Sequence, residues 1–573
     1  MLLASAMVLA GASGCASLPG AEEGFAGTKS NPPDIILIVL DDVGFADLGS
    51  YGSEIATPAI DALAADGLRY NRFETKAVCS PTRASLLTGR NSQTVRMNDL
   101  PSRLQQADPT DTSQAKGELP LNAETLATAL RAGGYRTAAV GKWHLAPAYD
   151  TAAGATKASW PLQRGFDSFY GFIGGWTDQY QPELVEGNQP IPSPTMRDYH
   201  LSVDLVNRSI AALKAAEAAG RPSFLYLSFG AAHAPTQVPQ SYIDRYRGQY
   251  EVGWNAIRQA RFARQKELGV VPIDTVLPPP DPGDPDWDTL SPTGRRTFAR
   301  FMATYAGFIT HTDEQIGRLI AHLKATNAYS NTLIVLLSDN GPAPEGGNKG
   351  GFRRPYLDPT TLEEMAANLQ ELGSPTTQPL YQRGWAMAGA TPLRRYKLWP
   401  QAGGTRAPLI VTWPDRLRQR GAVRPQLVDV IDVAPTILAS VGLRFRSNIA
   451  GVAQVPVAGH SVAATFRSAK APGRNTQFFQ LRGNRAITHG RWKAVAMHRP
   501  GTDFTTDEWH LYDILTDFSE TRNLAVVYPE RLEELKALWW QEARRYADPP
   551  LMEMAPALRQ FPIYDDAFRS TGE

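Results

Sequence analysis

Two short acidic runs close apolar stretches of this chain: Asp41-Asp42 follows Ile35-Ile36-Leu37-Ile38-Val39-Leu40, and Ser338-Asp339-Asn340-Gly341 follows Leu333 to Leu337. Three carboxylates and an amide gathered at one edge repel one another unless a cation neutralises them. An all-oxygen set suits a hard divalent ion, calcium or magnesium, rather than zinc. Taken alone, the same pairs serve as turns and helix caps, the more ordinary use of Asp and Asn. A second constellation is Cys79-Ser80-Pro81-Thr82-Arg83-Ala84-Ser85-Leu86-Leu87-Thr88-Gly89. Pro81 suits the first turn of a helix and Gly89 its end, which puts Cys79 at a helix N-terminus and Arg83 one turn up the same face. Partial positive charge there favours anions and would make the thiol reactive, although a lone cysteine is more often a small buried hydrophobe.

The elements that must position these groups are legible in the hydrophobic pattern. The runs at 35–40, 224–229, 333–337 and 409–413 lack polar alternation and predict strands buried on both faces. Helical spacing separates them, in Ile60, Leu63 and Ala64, in Leu126, Ala129 and Leu130, in Val203, Val206, Ile210 and Leu213, and from Phe298 to Leu323. Alternating strand and helix predicts an α/β fold, in which ligands bind at the carboxyl ends of the strands. Beyond a helix at Asp432 to Gly442 the pattern changes. Arg485 to Ala496 turns at His489-Gly490, a strand starts at Trp509, and Leu532, Leu535, Trp539, Ala543 and Tyr546 line one helix face. The chain is therefore expected to hold one unit at 33–445 with a large, mixed, mostly parallel sheet flanked by helices. A C-terminal α+β unit at 446–573 would pair a small antiparallel sheet with a helix. The Pro- and Gly-rich segments 272–296 and 342–392 are expected either to shape a binding site or to be disordered.

Across 573 residues, 43% hydrophobic and 20% charged usage excludes a disordered, collagen-like or coiled-coil chain. Lys plus Arg at 58 against Asp plus Glu at 57 leaves a net charge of +1, which offers no general attraction to nucleic acid or anionic lipid. The only cysteines are Cys15 and Cys79. The apolar stretch from Met1 into Ala12-Ser13-Gly14-Cys15 resembles a bacterial lipoprotein signal at 1–15, with a tether at 16–32. That resemblance implies export to the periplasm, a lipid on Cys15 and outer-membrane anchoring through that lipid alone; a plain cleaved secretory signal is the alternative.

The Cys79 segment resembles the signature of type I sulfatases, Cys-x-Pro-x-Arg followed by Thr-Gly. The likeness continues through Asp41-Asp42-Val43-Gly44, Asp47-Leu48-Gly49-Ser50-Tyr51-Gly52, Gly141-Lys142-Trp143-His144, Arg164-Gly165-Phe166-Asp167, Ser338-Asp339-Asn340-Gly341 and Leu511-Tyr512-Asp513. Trp254 to Leu268, Trp287 onward, and Lys397 before Gly403-Gly404-Thr405-Arg406 look most like the bacterial arylsulfatase branch. The resemblance implies an alkaline-phosphatase-like fold and hydrolysis of the S–O bond of small sulfate monoesters. It implies that a maturation enzyme oxidises Cys79 to formylglycine, whose gem-diol attacks sulfur. A second hydroxyl on that diol lets sulfate leave without water attacking the hindered sulfur. The implied metal ligands are Asp41, Asp42, Asp339, Asn340 and an oxygen of modified Cys79, with calcium the usual ion and magnesium the alternative. Arg83, Lys142, His144, His233 and Lys397 would hold the hydrate and the sulfate. Asp339 would activate the diol, His233 would protonate the leaving group and His144 would serve as base in the second step. Spacing adds that Lys142 and His144, two apart in an extended segment, share one face. With a divalent ion and three fixed cations against three carboxylates, the pocket is net positive, as a monoanionic ester requires. His200, His311, His322, His460, His489, His498 and His510 read as structural. Rival readings are a phosphonate or phosphodiester hydrolase of the same superfamily and a non-catalytic lipoprotein that binds sulfated polymers. The ester itself stays open among aryl, steroid, alkyl and sugar sulfates, with Trp160, Trp176, Trp254, Trp287 and Trp399 as candidate aromatic walls.

Overall fold

A computed structural model of the chain describes residues 32–104, 117–152, 154–281, 283–353 and 359–546; the expected signal at 1–15, with Cys15, and the tether up to residue 31 lie outside them. Strands β1 (Asp34–Leu40), β2 (Arg136–Lys142), β3 (Ser223–Ser228) and β4 (Thr332–Ser338) run parallel in the order β4-β1-β3-β2. β1 is apolar residue after residue because both faces are covered. Ile36, Ile38 and Leu40 pack with Phe301, Tyr305 and Ile309 on one side, while Ile35, Leu37 and Val39 pack with Leu86, Leu87, Leu126 and Leu130 on the other. Truncating one such isoleucine to alanine costs about 2–5 kcal/mol.

The sheet extends to ten strands. Beyond β4 lie Leu409–Thr412, Gly67–Tyr70 and Ala422–Arg424; beyond β2 lie Ser168–Phe172, Leu184–Glu186 and Gln189–Ile191. Leu409–Thr412 is the buried strand expected there, but it runs antiparallel to β4. Helices α1 (Cys79–Thr88), α2 (Leu201–Ala218) and α3 (Pro292–Ala325) flank the sheet. α3 starts with Pro292 in its first turn and Ser291 accepting the Gly294 N–H, and it buries Phe298, Met302, Tyr305, Ile309, Ile316, Leu319 and Leu323.

The C-terminal strands β5 (Thr476–Leu481), β6 (Asn484–His489), β7 (Trp492–Ala496) and β8 (Trp509–Asp513) form an antiparallel meander. Helix α4 (Pro529–Tyr546) covers it by packing Leu535, Trp539 and Ala543 against Phe478, Ile487 and Leu511. Charged contacts tie this sheet to loops and a short helix of the larger unit: Arg482 donates to both oxygens of Asp99 at 2.9 and 2.8 Å, and Lys493 pairs at 2.7 Å with Glu520, which also accepts the Ala402 N–H at 3.0 Å. No helix among the described residues is long and apolar enough to cross a membrane.

Candidate active site

β1 and β4 are neighbours in register, Leu40 opposite Ser338, so Asp41-Asp42 and Asp339-Asn340 leave the sheet at the same carboxyl edge. Asp42 turns there in a left-handed conformation, φ 60°, which Asp tolerates better than most residues. The Tyr305 hydroxyl from α3 sits 3.2 Å from the Asp42 carbonyl and 2.9 Å from Asp47 Oδ2. Ligand atoms of Asp41, Cys79 and Asp339 lie within 4.8 Å of one another. Asp42 falls outside that trio and joins it through Asn340, whose Nδ2 donates to Asp42 Oδ1 at 2.6 Å. Asp41 Oδ1 and Asn340 Oδ1 are buried without a hydrogen-bond partner. Burial pushes the Asp41 carboxyl up against the pull of Lys142; burial and the Asp41 charge push Asp339 up to about 6. Asp42 is buried as well, yet the Lys397 ammonium and His233 hold it at about 2. Crowded carboxylates with unsatisfied oxygens fit a hard cation, and these residues are the donors such an ion would use.

Cys79 is the first residue of α1, and Gly89 ends the helix at φ 65°, as the motif predicts. The expectation of a reactive thiol is corrected. Cys79 is 2% exposed, and burial pushes its thiol up to about 12 in spite of Lys142 and Lys397, so the helix terminus is outweighed and the sulfur stays protonated. Arg83 reaches Asp339 Oδ2 from Nε at 2.8 Å, and its Nη1 bonds the Ser228 hydroxyl on β3. Lys142 Nζ lies 2.5 Å from Asp41 Oδ2; Lys397 Nζ lies 2.9 Å from Asp42 Oδ1 and 2.8 Å from Glu345 Oε1. Gly141 precedes Lys142 at φ 105°, and a Cβ there would stand 1.9 Å from the Ser228 carbonyl oxygen, so the strand pair excludes any other residue.

His144 does not share a strand face with Lys142. β2 ends at Lys142 and His144 is left-handed at φ 56°, so a turn, rather than alternation, aims its ring. His233 Nδ1 lies 2.6 Å from the Ala234 carbonyl and its Nε2 3.7 Å from Asp42 Oδ2. Burial pushes His233 down to about 4; burial together with Lys142 and Arg83 drives His144 well below its usual value. Both rings are neutral bases at neutral pH.

A cavity of about 580 Å³ opens onto this corner. Asp42, Cys79, His144, His233 and Lys397 line it, while Arg83, Lys142, Asp41, Asp339 and Asn340 lie beneath and do not. Its outer walls include Leu100, Pro101, Ile173, Trp176 and Leu380. Of the tryptophans singled out in the sequence, Trp176 alone reaches it. Trp160 and Trp399 are buried elsewhere, and Trp254 and Trp287 meet Trp385 edge to face in the core. Segment 342–392 reaches the cavity through Ala343, Glu345, Gly346, Gln378, Leu380 and Tyr381; segment 272–296 does not line it. Sequence reasoning missed Glu345, Ser228 and Tyr305. Glu345 sits in an aperiodic loop and Tyr305 reads as one more core position of α3; only closeness to Asn340 marked Glu345.

A family model described as Sulfatase matches residues 33–443, and one described as N-sulphoglucosamine sulphohydrolase, C-terminal, matches residues 397–543. An uncharacterized sulfatase of Schizosaccharomyces pombe is 31% identical over 545 residues, 89% of this chain and 93% of that protein. An arylsulfatase of Klebsiella aerogenes is 30% identical over 453 residues, 75% of this chain and 91% of its own. The solved structure of the PsFucS1 sulfatase from Pseudoalteromonas sp. superposes with a TM-score of 0.61 at 19% identity, covering 91% of this chain and 92% of that one, which shows a shared fold.

Proposed function

The chain belongs to the sulfatase family and hydrolyses sulfate esters, and on that premise we propose a one-metal site in which Cys79, oxidised to formylglycine, cleaves aryl sulfate monoesters. The observation that carries this reading is the position of Cys79: a buried thiol set against Asp41 and Asp339 on the wall of a cavity ringed by Lys397, His144 and His233. Asp41, Asp42, Asp339 and Asn340 would hold the ion, calcium in this proposal, which supplies positive charge to the nucleophile and the sulfuryl oxygens.

The chain's own groups do the rest. Lys397 and the two histidines face the sulfate, while Arg83 and Lys142 fix Asp339 and Asp41 from below. Lys142 and Lys397 pair ammonium groups with Asp41 and Asp42, and cations already at this corner favour sulfuryl chemistry over a two-metal phosphoryl mechanism. His233 directs Nδ1 to the Ala234 carbonyl, leaving Nε2 free to carry a proton to the leaving oxygen once a bound anion raises its affinity for one. His144, neutral and with Nδ1 unpartnered, is suited to the base of the second step. Apolar outer walls support an aryl alcohol. The apolar N-terminus and Cys15 support export, a lipid anchor and a periplasmic setting where a maturation enzyme has already acted on Cys79.

The test is the intact mass of the Cys79 peptide from protein made in its host, together with turnover of matched aryl sulfate, phosphate diester and phosphonate. Formylglycine with sulfate preference is expected. An unmodified thiol in fully active protein, or a preference for phosphorus esters, overturns the reading.

A further inference from the structure

An anion pocket has no use for a carboxylate on its wall, yet Glu345 stands there. It lines the same cavity as Cys79, His233 and Lys397, and besides Asp42 it is the only acidic residue that does so among the described residues. Its Oε1 holds Lys397 Nζ at 2.8 Å, while Asp42 holds the same ammonium at 2.9 and 3.0 Å. Glu345 Oε2 has no hydrogen-bond partner, and the side chain is 28% exposed, so its charge is only half engaged. The cation that meets the sulfate is thus countered twice before any ligand arrives.

We propose that Glu345 is a specificity residue that sorts ligands by charge, admitting a monoanionic ester and shedding dianions. This rests on the sulfatase reading above. Hydrolysis of an ester ROSO3− by one water gives ROH, SO4 2− and a proton: the S–O bond to the alcohol breaks, a new S–O bond forms, and the pocket passes from a monoanion to a dianion. Lys397 apart, the cations on the wall are Arg103 and Arg482, which lie with the carboxylate of Asp99, and the second charge feels the repulsion of the unpaired Glu345 oxygen. The same repulsion falls on a phosphate monoester dianion, which otherwise matches a sulfate ester in shape. Glu345 therefore speeds product loss and biases the site toward sulfur esters.

The experiment compares E345Q, which removes the charge and keeps the shape, with E345D, which keeps the charge. Inorganic sulfate is titrated calorimetrically into the metal-loaded proteins and used as an inhibitor of aryl sulfate turnover; kcat/KM is measured for an aryl sulfate and the matching aryl phosphate. E345Q is expected to bind sulfate about tenfold more tightly and to raise the phosphate-to-sulfate ratio of kcat/KM about tenfold, the size of one repulsive charge contact, while E345D stays near wild type. Sulfate affinity unchanged or weakened in E345Q overturns the proposal. Wild-type protein that binds sulfate but hydrolyses no sulfate ester would instead strike the functional reading, and the calorimetric comparison would still judge Glu345.

Discussion

Arg83 meets Asp339 with two nitrogens, Nε at 2.8 Å and Nη2 at 2.7 Å from the same carboxylate oxygen, and neither side chain is exposed. One turn of α1 thus links the residue that follows β4 to the helix that begins with Cys79. Arg83→Met leaves Asp339 beside Asp41 with its countercharge gone. Breaking one side of a buried pair costs about 3–5 kcal/mol, and loss of the positioned carboxylate is expected to lower kcat/KM about 10²–10³-fold. Arg83→Lys keeps the charge but not the planar fork and should fall between the two. Thermal unfolding and steady-state kinetics check this; a Met variant that melts and turns over like wild type would refute it.

Gly175 leaves room for the ring of His144. A Cβ on residue 175 would stand 2.6 Å from His144 Cε1 and 2.7 Å from Nε2. Gly175→Ala must therefore push the imidazole aside while leaving the fold alone. A displacement on the order of 1 Å at a reacting group costs up to about 10²-fold, so kcat should fall by tens of fold with KM nearly constant and the melting temperature unmoved. An alanine variant with wild-type kcat would show that His144 takes no part in the rate-limiting proton transfer.

Chelation should both inactivate and loosen the protein. Asp41 Oδ1 and Asn340 Oδ1 are unsatisfied and Asp41, Asp42 and Asp339 crowd one corner. An ion that binds only the folded state stabilises it by about 2.7 kcal/mol at a hundred times its dissociation constant. Melting curves recorded while calcium, magnesium or zinc is added back to stripped protein should rise most for calcium, with activity returning in parallel. Stripped protein that melts unchanged would remove the metal from this corner.

The strand runs that carry Asp41, Asp339 and the approach to His233 were legible because a strand covered on both faces has no polar positions to blur it. α1 was legible because Pro81 and Gly89 bracket it. What escaped lay where tertiary context decides. His144 is aimed by a left-handed turn that no alternation rule foresees, and the direction of Leu409–Thr412 depends on the loop that delivers it. Burial overrode the helix terminus at Cys79, since desolvation of a thiolate outweighs a half-charge of helix dipole. The aromatic wall was misjudged for a similar reason: Trp254 and Trp287 bury each other, and composition cannot distinguish a tryptophan in the core from one on a rim.

The pH dependence of stability should be set in part by a histidine pair far from the chemistry. His200 caps α2: its Nδ1 accepts the Ser202 N–H at 3.2 Å and its Nε2 faces the Gln237 carbonyl at 3.1 Å, an arrangement only the neutral ring satisfies. The His311 ring lies 4.2 Å away, centroid to centroid. Burial pushes His200 down to about 4, and burial plus the neighbouring His200 pushes His311 to about 2. In the unfolded chain both take up a proton near the ordinary histidine value of about 6.5. Between about pH 6.5 and 4 the unfolded state therefore holds more protons than the folded one, so stability rises with pH through that window and is lost as pH falls. Each histidine contributes about 1.4 kcal/mol per pH unit there. His311→Phe keeps an aromatic ring in place and should lower the slope of unfolding free energy against pH by about 1.4 kcal/mol per unit, leaving stability above pH 7 little changed. Urea unfolding at half-unit steps from pH 4.5 to 7.5 measures it; an unaltered slope in the Phe variant would mean that the pair is already charged in the folded protein.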